Sequence, residues 1–267
     1  VYGYEPGRTV SEAFDFDDEK YLFKLDWYAS DTQRLSMTYM YNDSFNYTAS
    51  DGDLDEFEFD KHFYKRGAEL TTYNINWYAD WSENFSTEVR YSYSEVDFLQ
   101  ASVSGGDFAE FRIELDEVDV YLGQDDSRQA NDLDWEVRQL VARGTYIMDD
   151  HAITFGYERD ASDIYNLFYQ HVDTENRFDG IDNFEQGIAA RVYYGNAISN
   201  NELDAAVSWG YTIHTAYIED EWQVSPDFRL TYGLRYDSYE SDDKPALNPA
   251  FTADYGFPNT ATLDGVD

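Results

Sequence analysis

The chain has 267 residues, of which 55 are acidic and 18 are basic, and its formal net charge is −37. Phosphate recognition needs a basic stripe and none is visible, so the composition argues against nucleic acid as a partner. Cysteine is absent, which excludes disulfides and thiolate metal sites. No apolar run reaches the roughly 18 residues of a transmembrane helix. Aromatic residues make up 18% of the chain, and this suits strands and boundaries between water and lipid.

Eight segments alternate apolar and polar side chains with a period of two, which predicts β-strands. The first segment sets Tyr21, Phe23 and Leu25 against Lys24 and Asp26. The last segment, within DFRLTYGLRYDSY, alternates in the same way. The eight predicted strands lie at 20–29, 34–47, 67–79, 85–96, 133–147, 151–168, 209–223 and 228–240.

The predicted strands come in pairs around short polar turns, as in WYASDTQRLSMTY, WYADWSENFSTEVRY, YIMDDHAITFGY and WQVSPDFRLTYG. Long connections at 49–66, 97–132 and 170–208 join the pairs and carry much of the acidic charge. Short turns at one end of a sheet and long loops at the other are typical of outer-membrane β-barrels. We therefore expect an all-β fold, an antiparallel transmembrane β-barrel with short periplasmic turns and long acidic extracellular loops.

The alternation also predicts which face of each strand meets lipid. Arg235 and Asp237 are expected to face the lumen, where a guanidinium finds water or a carboxylate. An aromatic residue near each short turn predicts a periplasmic aromatic girdle of Trp27, Trp77, Tyr146 and Trp222. The apolar positions are expected to contact outer-membrane lipid, and they are Tyr21, Phe23, Leu25, Leu35, Met37, Tyr39, Ile75, Val89, Tyr91, Ile153, Phe155, Leu230, Tyr232 and Leu234.

Several stretches resemble the barrel of TonB-dependent receptors. In AYIEDEWQVSPDFRLTYGLRYDSY, a Y-x-x-D-E-W strand, a short turn and L-T-x-G-L-R-Y-D follow each other as they do in that family. The hairpin EKYLFKLDWYASDTQRLSMTYMYN and the stretch HAITFGYERDASDIYNLF are similar to other strands of these barrels. The segment NFEQGIAARVYYGNA looks like a loop insertion of the Oar-like branch. The resemblance extends over nearly the whole chain.

The resemblance implies a non-enzymatic receptor of the bacterial outer membrane that actively imports a scarce solute or peptide. It also implies a signal peptide, an N-terminal plug domain through which TonB acts, and a barrel of about 22 strands. We therefore expect residues 1–267 to be part of one such barrel domain. The chain would hold about eight strands of the larger barrel, with the plug domain and the C-terminal strands outside it.

The motifs predict no catalytic, cofactor or metal site. The segment DGDLDEFEFDKH, residues 51–62, begins like a calcium loop. It then has Glu56 where glycine is needed and His62 where a bidentate glutamate belongs. We expect a solvated charged segment there, with loose calcium binding as an open alternative. The four histidines do not have the spacing of metal ligands, and we expect each of them at a turn or lumen position. They are His62, His151, His171 and His214.

Ligand contacts are expected from the connections 170–208 and 97–132, where Phe178, Tyr193 and Tyr194 could stack on a solute. An acidic mouth is expected to disfavour anionic ligands. Two other interpretations stay open. One is a soluble carbohydrate-binding or carbohydrate-cleaving β-protein. The other is a small, complete structural outer-membrane barrel of about eight strands.

Overall fold

A computed structural model describes residues 2–8, 16–106, 108–244 and 249–257. Its main element is one antiparallel sheet of eight long strands, here called the wall. Numbered in chain order with the shorter strands given below, these are β1 (Asp17–Ser30), β2 (Gln33–Thr48), β4 (Tyr64–Ser82), β5 (Phe85–Ser102), β8 (Ala130–Met148), β9 (His151–Tyr169), β12 (Val207–Ser225) and β13 (Phe228–Glu240). All eight predicted strands are confirmed, and they stand in the sheet in this same order.

The wall strands run further than the alternation of the sequence predicts. Strands β4, β8, β9 and β12 have 19 residues each, whereas a tilted strand crosses the hydrocarbon with about 9 to 11. Turns of two residues join β1 to β2, β4 to β5, β8 to β9 and β12 to β13. The extra length therefore carries the other strand ends well past a hydrocarbon layer, toward the long connections.

The wall is an open sheet. Strand β1 forms one edge and β13 the other, and in the described residues neither pairs with a strand on its outer side. The unpaired N–H and C=O groups of such an edge cannot be satisfied by lipid. The sheet therefore has the form of a partial barrel.

A second, smaller sheet lies in the long connections, and we call it the cap. It contains β3 (Glu56–Glu58), β6 (Glu110–Glu114), β7 (Asp119–Leu122), β10 (Glu175–Asp179) and β11 (Arg191–Tyr193). The strand order is β11-β10-β6-β7-β3, with parallel pairing of β3 to β7 and of β10 to β6. Three separate connections thus contribute strands to one sheet. The sequence did not predict these strands, because each has only three to five residues.

Aromatic packing holds the cap together. Phe111 lies at the centre, with ring centroids 4.9 Å from Tyr2, 5.6 Å from Phe178 and 5.9 Å from Phe184. Its neighbour Phe108 stacks on Tyr4, with ring centroids 4.1 Å apart. Burial of several aromatic rings is the main favourable contribution to folding here.

Two short α-helices and three single-turn 3₁₀ helices complete the described part of the fold. Helix α1 (Ile181–Gln186) follows β10, and it ends at Gly187, whose φ of 71° is the left-handed conformation that glycine adopts without strain. Helix α2 (Pro249–Tyr255) follows β13. Across the described ranges, no helix has the length and apolar character needed to cross a membrane.

Candidate functional site: the two faces of the wall and the acidic cap

The wall has one polar face, which carries ion pairs between neighbouring strands. Glu88 on β5 lies opposite Arg143 on β8, and Arg143 Nη2 is 2.5 Å from Glu88 Oε2. On β13, Arg235 Nη2 is 2.9 Å from Asp237 Oδ1, which also accepts a hydrogen bond of 2.6 Å from Thr215 Oγ1 on β12. Arg235 and Asp237, predicted to face a lumen, thus share the face of these charged groups.

The opposite face of the wall is apolar and aromatic. Antiparallel partners share a face, and the register joins Leu25 to Met37, Met37 to Ile75 and Ile75 to Tyr91. The same alternation places every predicted lipid-facing residue on this side of the sheet. Ile75 is 43% exposed and Leu234 is 79% exposed. The wall therefore presents a broad apolar surface that nothing in the described chain covers.

The predicted girdle residues lie on this apolar face at the end with the short turns. Trp77 stands opposite Leu35 on one side and Val89 on the other. Trp222 stacks on His151, with ring centroids 5.3 Å apart. Trp27 and Tyr146 are close to the turns of their own hairpins. All four aromatic side chains thus lie on the apolar face within a few residues of the short turns.

The cap contains a group of one histidine and three carboxylates, here called the cap cluster: Asp51, which is partly exposed, and the buried His62, Glu110 and Asp125. One possible ligand atom from each residue lies within 4.8 Å of the others. His62 is 0% exposed, and Glu110 and Asp125 are each 3% exposed. The predictions of a solvated charged segment and of a turn histidine are wrong for His62. The cap sheet covers this residue and folds the connection around it.

Both nitrogens of His62 have partners. Nε2 lies 2.9 Å from Asp51 Oδ2, and Nδ1 lies 3.1 Å from the carbonyl oxygen of Gly123. Asp51 and His62 are the first and last residues of the segment that begins like a calcium loop. The segment therefore closes on itself, but through a histidine instead of a glutamate.

Charge and burial act strongly on the ionisable groups of the cap cluster. Burial by itself lowers the pKa of His62, but the hydrogen bond to Asp51 and the negative charges of Glu110, Asp51 and Asp125 raise it to about 9. Burial also raises the pKa of Glu110 to about 9. Without a bound cation, protons on His62 and Glu110 therefore limit the negative charge of the cap cluster at neutral pH.

Polar contacts fix the carboxylates of the cap cluster in position. Glu110 Oε2 accepts a hydrogen bond of 2.6 Å from the backbone N–H of Asp126. Asp125 Oδ1 accepts bonds from the backbone N–H of Ser127 at 2.8 Å and from its hydroxyl at 2.7 Å, while Oδ2 accepts from Ser50 Oγ. The buried carboxylates are therefore oriented before any ligand arrives.

Two further groups of acidic residues lie nearby in the fold. Asp126, His171 and Glu175 form one, in which His171 Nδ1 is 3.1 Å from Asp126 Oδ2. Asp97, Asp132 and Asp134 form the other, and all three are exposed. The exposed group contains no histidine and is open to water.

The cap also encloses an aromatic cavity of about 270 Å³. The cavity is lined by Tyr2, Tyr4, Phe108 and Phe184, among other residues. Phe178, expected to stack on a ligand, is only 3% exposed and packs against Phe184 at 5.3 Å. The expectation is therefore wrong for Phe178, because other rings of the cap already cover it.

The other two aromatic residues expected to contact ligand lie nearer the surface. Tyr193 stacks on His171, with centroids 5.5 Å apart, and the guanidinium of Arg177 lies 4.8 Å from its ring centre. Tyr194 is 55% exposed, and its hydroxyl donates to Asn200. Their contact with a ligand stays a prediction.

A wall of antiparallel hairpins, with one charged face and one exposed apolar face, defines the class of outer-membrane β-barrel proteins. The family model for the outer membrane beta barrel domain matches residues 7–263, and the chain belongs to that family. Localisation in the outer membrane, predicted from the pattern of turns and loops, is confirmed by this match.

The comparison with solved structures agrees on the fold. The outer membrane transporter YddB from Escherichia coli is similar to this chain with a TM-score of 0.55 and 13% sequence identity. The similar region covers 83% of this chain and 27% of the transporter, so the chain spans about a quarter of the length of that structure. No curated protein sequence matches the chain.

Only part of the cap cluster can be recognised in the sequence. Asp51 and His62 stand in one acidic segment, but Glu110 and Asp125 come from the next long connection. No local spacing links the two pairs, since the contact depends on the pairing of β3 with β7. The acidic segment could be found from the sequence, whereas its partners could not.

Proposed function

We propose that this chain forms part of the wall and the extracellular loops of a TonB-dependent outer-membrane transporter. Membership of the outer membrane beta barrel family and the likeness to an Escherichia coli outer membrane transporter support this proposal. The observation that carries it is the open wall with a charged inner face.

The open wall favours a large barrel over a small one. A closed barrel of about eight strands leaves an interior just wide enough for side chains to fill. Here the two edge strands β1 and β13 lie at opposite ends of the sheet and need further strands as partners. A larger barrel has a hydrated lumen, in which Glu88, Arg143 and Arg235 keep their water and their ion pairs.

The two faces then have distinct partners. The apolar face contacts outer-membrane lipid, and the girdle residues Trp27, Trp77, Tyr146 and Trp222, near the short turns, lie at the periplasmic boundary. The polar face surrounds a plug domain that lies outside this chain and connects to TonB. The chain itself supplies wall, girdle and loops, and it carries no enzymatic activity.

The cap, built from the long connections, is the extracellular surface that first meets the solute. Its aromatic cavity and the exposed ring of Tyr194 suit a ligand with apolar groups. The net charge of −37 repels anions. A neutral or cationic small solute or peptide therefore fits the cap better than an anionic one.

Two measurements on the native protein in its source cells test the proposal. The first is the mass of the protein in the outer-membrane fraction, from a gel run with and without boiling and probed with an antibody to residues 227–239. We expect a band well above the 31.1 kDa of this chain that shifts on boiling. The second is crosslinking to TonB in intact cells, with a strain that lacks TonB as the control.

A heat-shifted band near 31.1 kDa would contradict the large barrel and favour a small structural barrel. A large barrel that does not crosslink to TonB would contradict the energy coupling and leave the wall assignment intact. The two parts of the proposal can therefore fail separately.

A further inference from the structure

We propose that the cap binds one divalent transition-metal ion of the zinc class between His62, Asp51, Glu110 and Asp125. This site does not depend on the transport proposal, since it needs only the cap fold. It goes beyond the calcium loop considered for residues 51–62, because its donors come from two connections and include an imidazole.

The donor atoms are already gathered in one place. One ligand atom from each of the four residues lies within 4.8 Å of the others, and His62 Nε2 is 2.9 Å from Asp51 Oδ2. In a tetrahedral site with bonds of about 2.0 to 2.1 Å, ligand atoms are separated by roughly 3.3 Å. Small rotations of the carboxylates would bring the cap cluster to that spacing.

The hydrogen bond on the far side of the imidazole supports a metal ligand. A carbonyl oxygen only accepts, so the bond from His62 Nδ1 to Gly123 puts a proton on Nδ1. If the ring is neutral, Nε2 then carries a lone pair, and this lone pair faces the carboxylate of Asp51. Two acceptors at this distance need a proton or a cation between them. Metal-binding histidines commonly donate their other N–H to a backbone carbonyl in this way.

Glu110 gives a second and independent indication. Its carboxylate is 3% exposed, and its hydrogen bond comes from one backbone N–H. In the described part of the chain, no lysine or arginine forms an ion pair with Glu110, Asp51 or Asp125. Buried carboxylates are normally paired with a cation or coordinated to a metal. The one imidazole of the cap cluster also faces a fourth buried carboxylate, since Glu58 Oε2 lies 3.9 Å from His62 Nε2.

The donor types select the class of ion. Calcium prefers six to eight oxygen ligands, whereas imidazole together with carboxylates suits zinc and similar ions. The four donors match the coordination number of structural zinc sites. Since Asp51 and His62 precede β4, while Glu110 and Asp125 precede β8, the ion would join two long connections of the cap.

Equilibrium dialysis of the intact, detergent-purified protein against Zn²⁺, after treatment with EDTA, tests the site. We expect about one Zn²⁺ per chain that excess Ca²⁺ does not displace. The variants His62→Gln and Glu110→Gln should each weaken Zn²⁺ binding at least about tenfold. Matched controls are His214→Gln on the wall and Asp134→Asn in the exposed acidic group, and both should bind Zn²⁺ as the original protein does.

Three results would overturn the proposal: absence of Zn²⁺ binding, displacement by Ca²⁺, or equal binding by the cluster variants and the controls. A measurement that needs no variant covers the case in which the cluster variants fail to fold. The unsubstituted protein loaded with Co²⁺ should show the intense visible absorption of a four-coordinate site. A weak six-coordinate spectrum would count against the site, leaving protons as the only cations in the cap cluster.

Discussion

Glu88 on β5 and Arg143 on β8 lie directly opposite each other, with Glu88 Oε2 2.5 Å from Arg143 Nη2. The other carboxylate oxygen of Glu88 pairs with Arg90, two residues along β5. The Glu88 side chain is only 10% exposed, whereas the two guanidinium groups remain nearly half exposed. One buried carboxylate therefore bridges two arginines on the central strands β5 and β8, near the short turns.

Replacement of Glu88 by Ala should destabilise the wall, because it leaves Arg90 and Arg143 facing each other without a counter-charge. We expect a loss of about 1 to 2 kcal/mol, at the lower end for charged hydrogen bonds, since water reaches both arginines. The temperature at which the folded band disappears on a gel measures the effect. Glu219→Ala, which removes an exposed carboxylate from the same face, is the control and should have little effect.

The two faces of the wall should respond in opposite ways to a new charge. Ile75→Arg puts a guanidinium on the apolar face and should cost about 2 to 4 kcal/mol if the residue lies near the bilayer centre. Asn74→Arg puts the same group on the polar face, opposite the neutral register partners Thr38 and Ser92, and should be tolerated far better. The folded fraction after refolding into lipid vesicles compares the two. Equal losses would contradict the assignment of the faces.

Gly67 on β4 lies where a side chain has no room. A Cβ at this position would be 2.2 Å from the carbonyl oxygen of Ser44 and 2.8 Å from the Cβ of Phe45. Gly67→Ala should therefore push β2 away from β4 and cost about 1 to 3 kcal/mol. Chemical denaturation in detergent measures this loss. Ala68→Ser adds one atom at the next position as a control, and a similar loss there would show that crowding at Gly67 is not the cause.

Phe178 should matter for the cap and not for the wall. Truncation of this buried ring in Phe178→Ala removes its packing against Phe111 and Phe184, at a cost of about 3 to 5 kcal/mol. We expect faster proteolysis within the cap while the heat-shifted band of the barrel persists. Tyr194→Ala, at an exposed ring, should leave proteolysis unchanged. Equal protection of the cap in both variants would contradict the role of Phe178.

The wall could be predicted from the sequence because a period of two is a local signal. Alternation through Tyr21, Phe23 and Leu25 fixes both the strand and its faces, and the register of the sheet follows from short turns. The strand ends could not be placed as well. Residues such as Tyr64 and Ser102 pair in the ladder beyond the point where the apolar alternation stops.

The cap could not be predicted because its determinants are non-local. Strands of three to five residues carry too little pattern to be recognised, and the pairing of β10 with β6 joins segments from different connections. The burial of His62 follows from the pairing of β3 with β7, which brings Tyr121 and Gly123 to the imidazole, so spacing within one segment does not reveal its neighbours. The prediction of a ligand contact for Phe178 failed for the same reason. An aromatic residue in an acidic loop suggests such a contact, but the rings that cover Phe178 come from other parts of the cap.

The parallel pairs of the cap have a consequence for folding. Glu56 pairs with Asp119, and Glu110 pairs with Glu175, so each contact closes a chain segment that contains a complete hairpin of the wall. Contacts of such long sequence separation form slowly, because the intervening chain loses its freedom first. We therefore expect the cap to close after the hairpins of the wall have found their register. Closure of the cap would thus be a late step of folding, and a wall whose hairpins are out of register would fail to complete it.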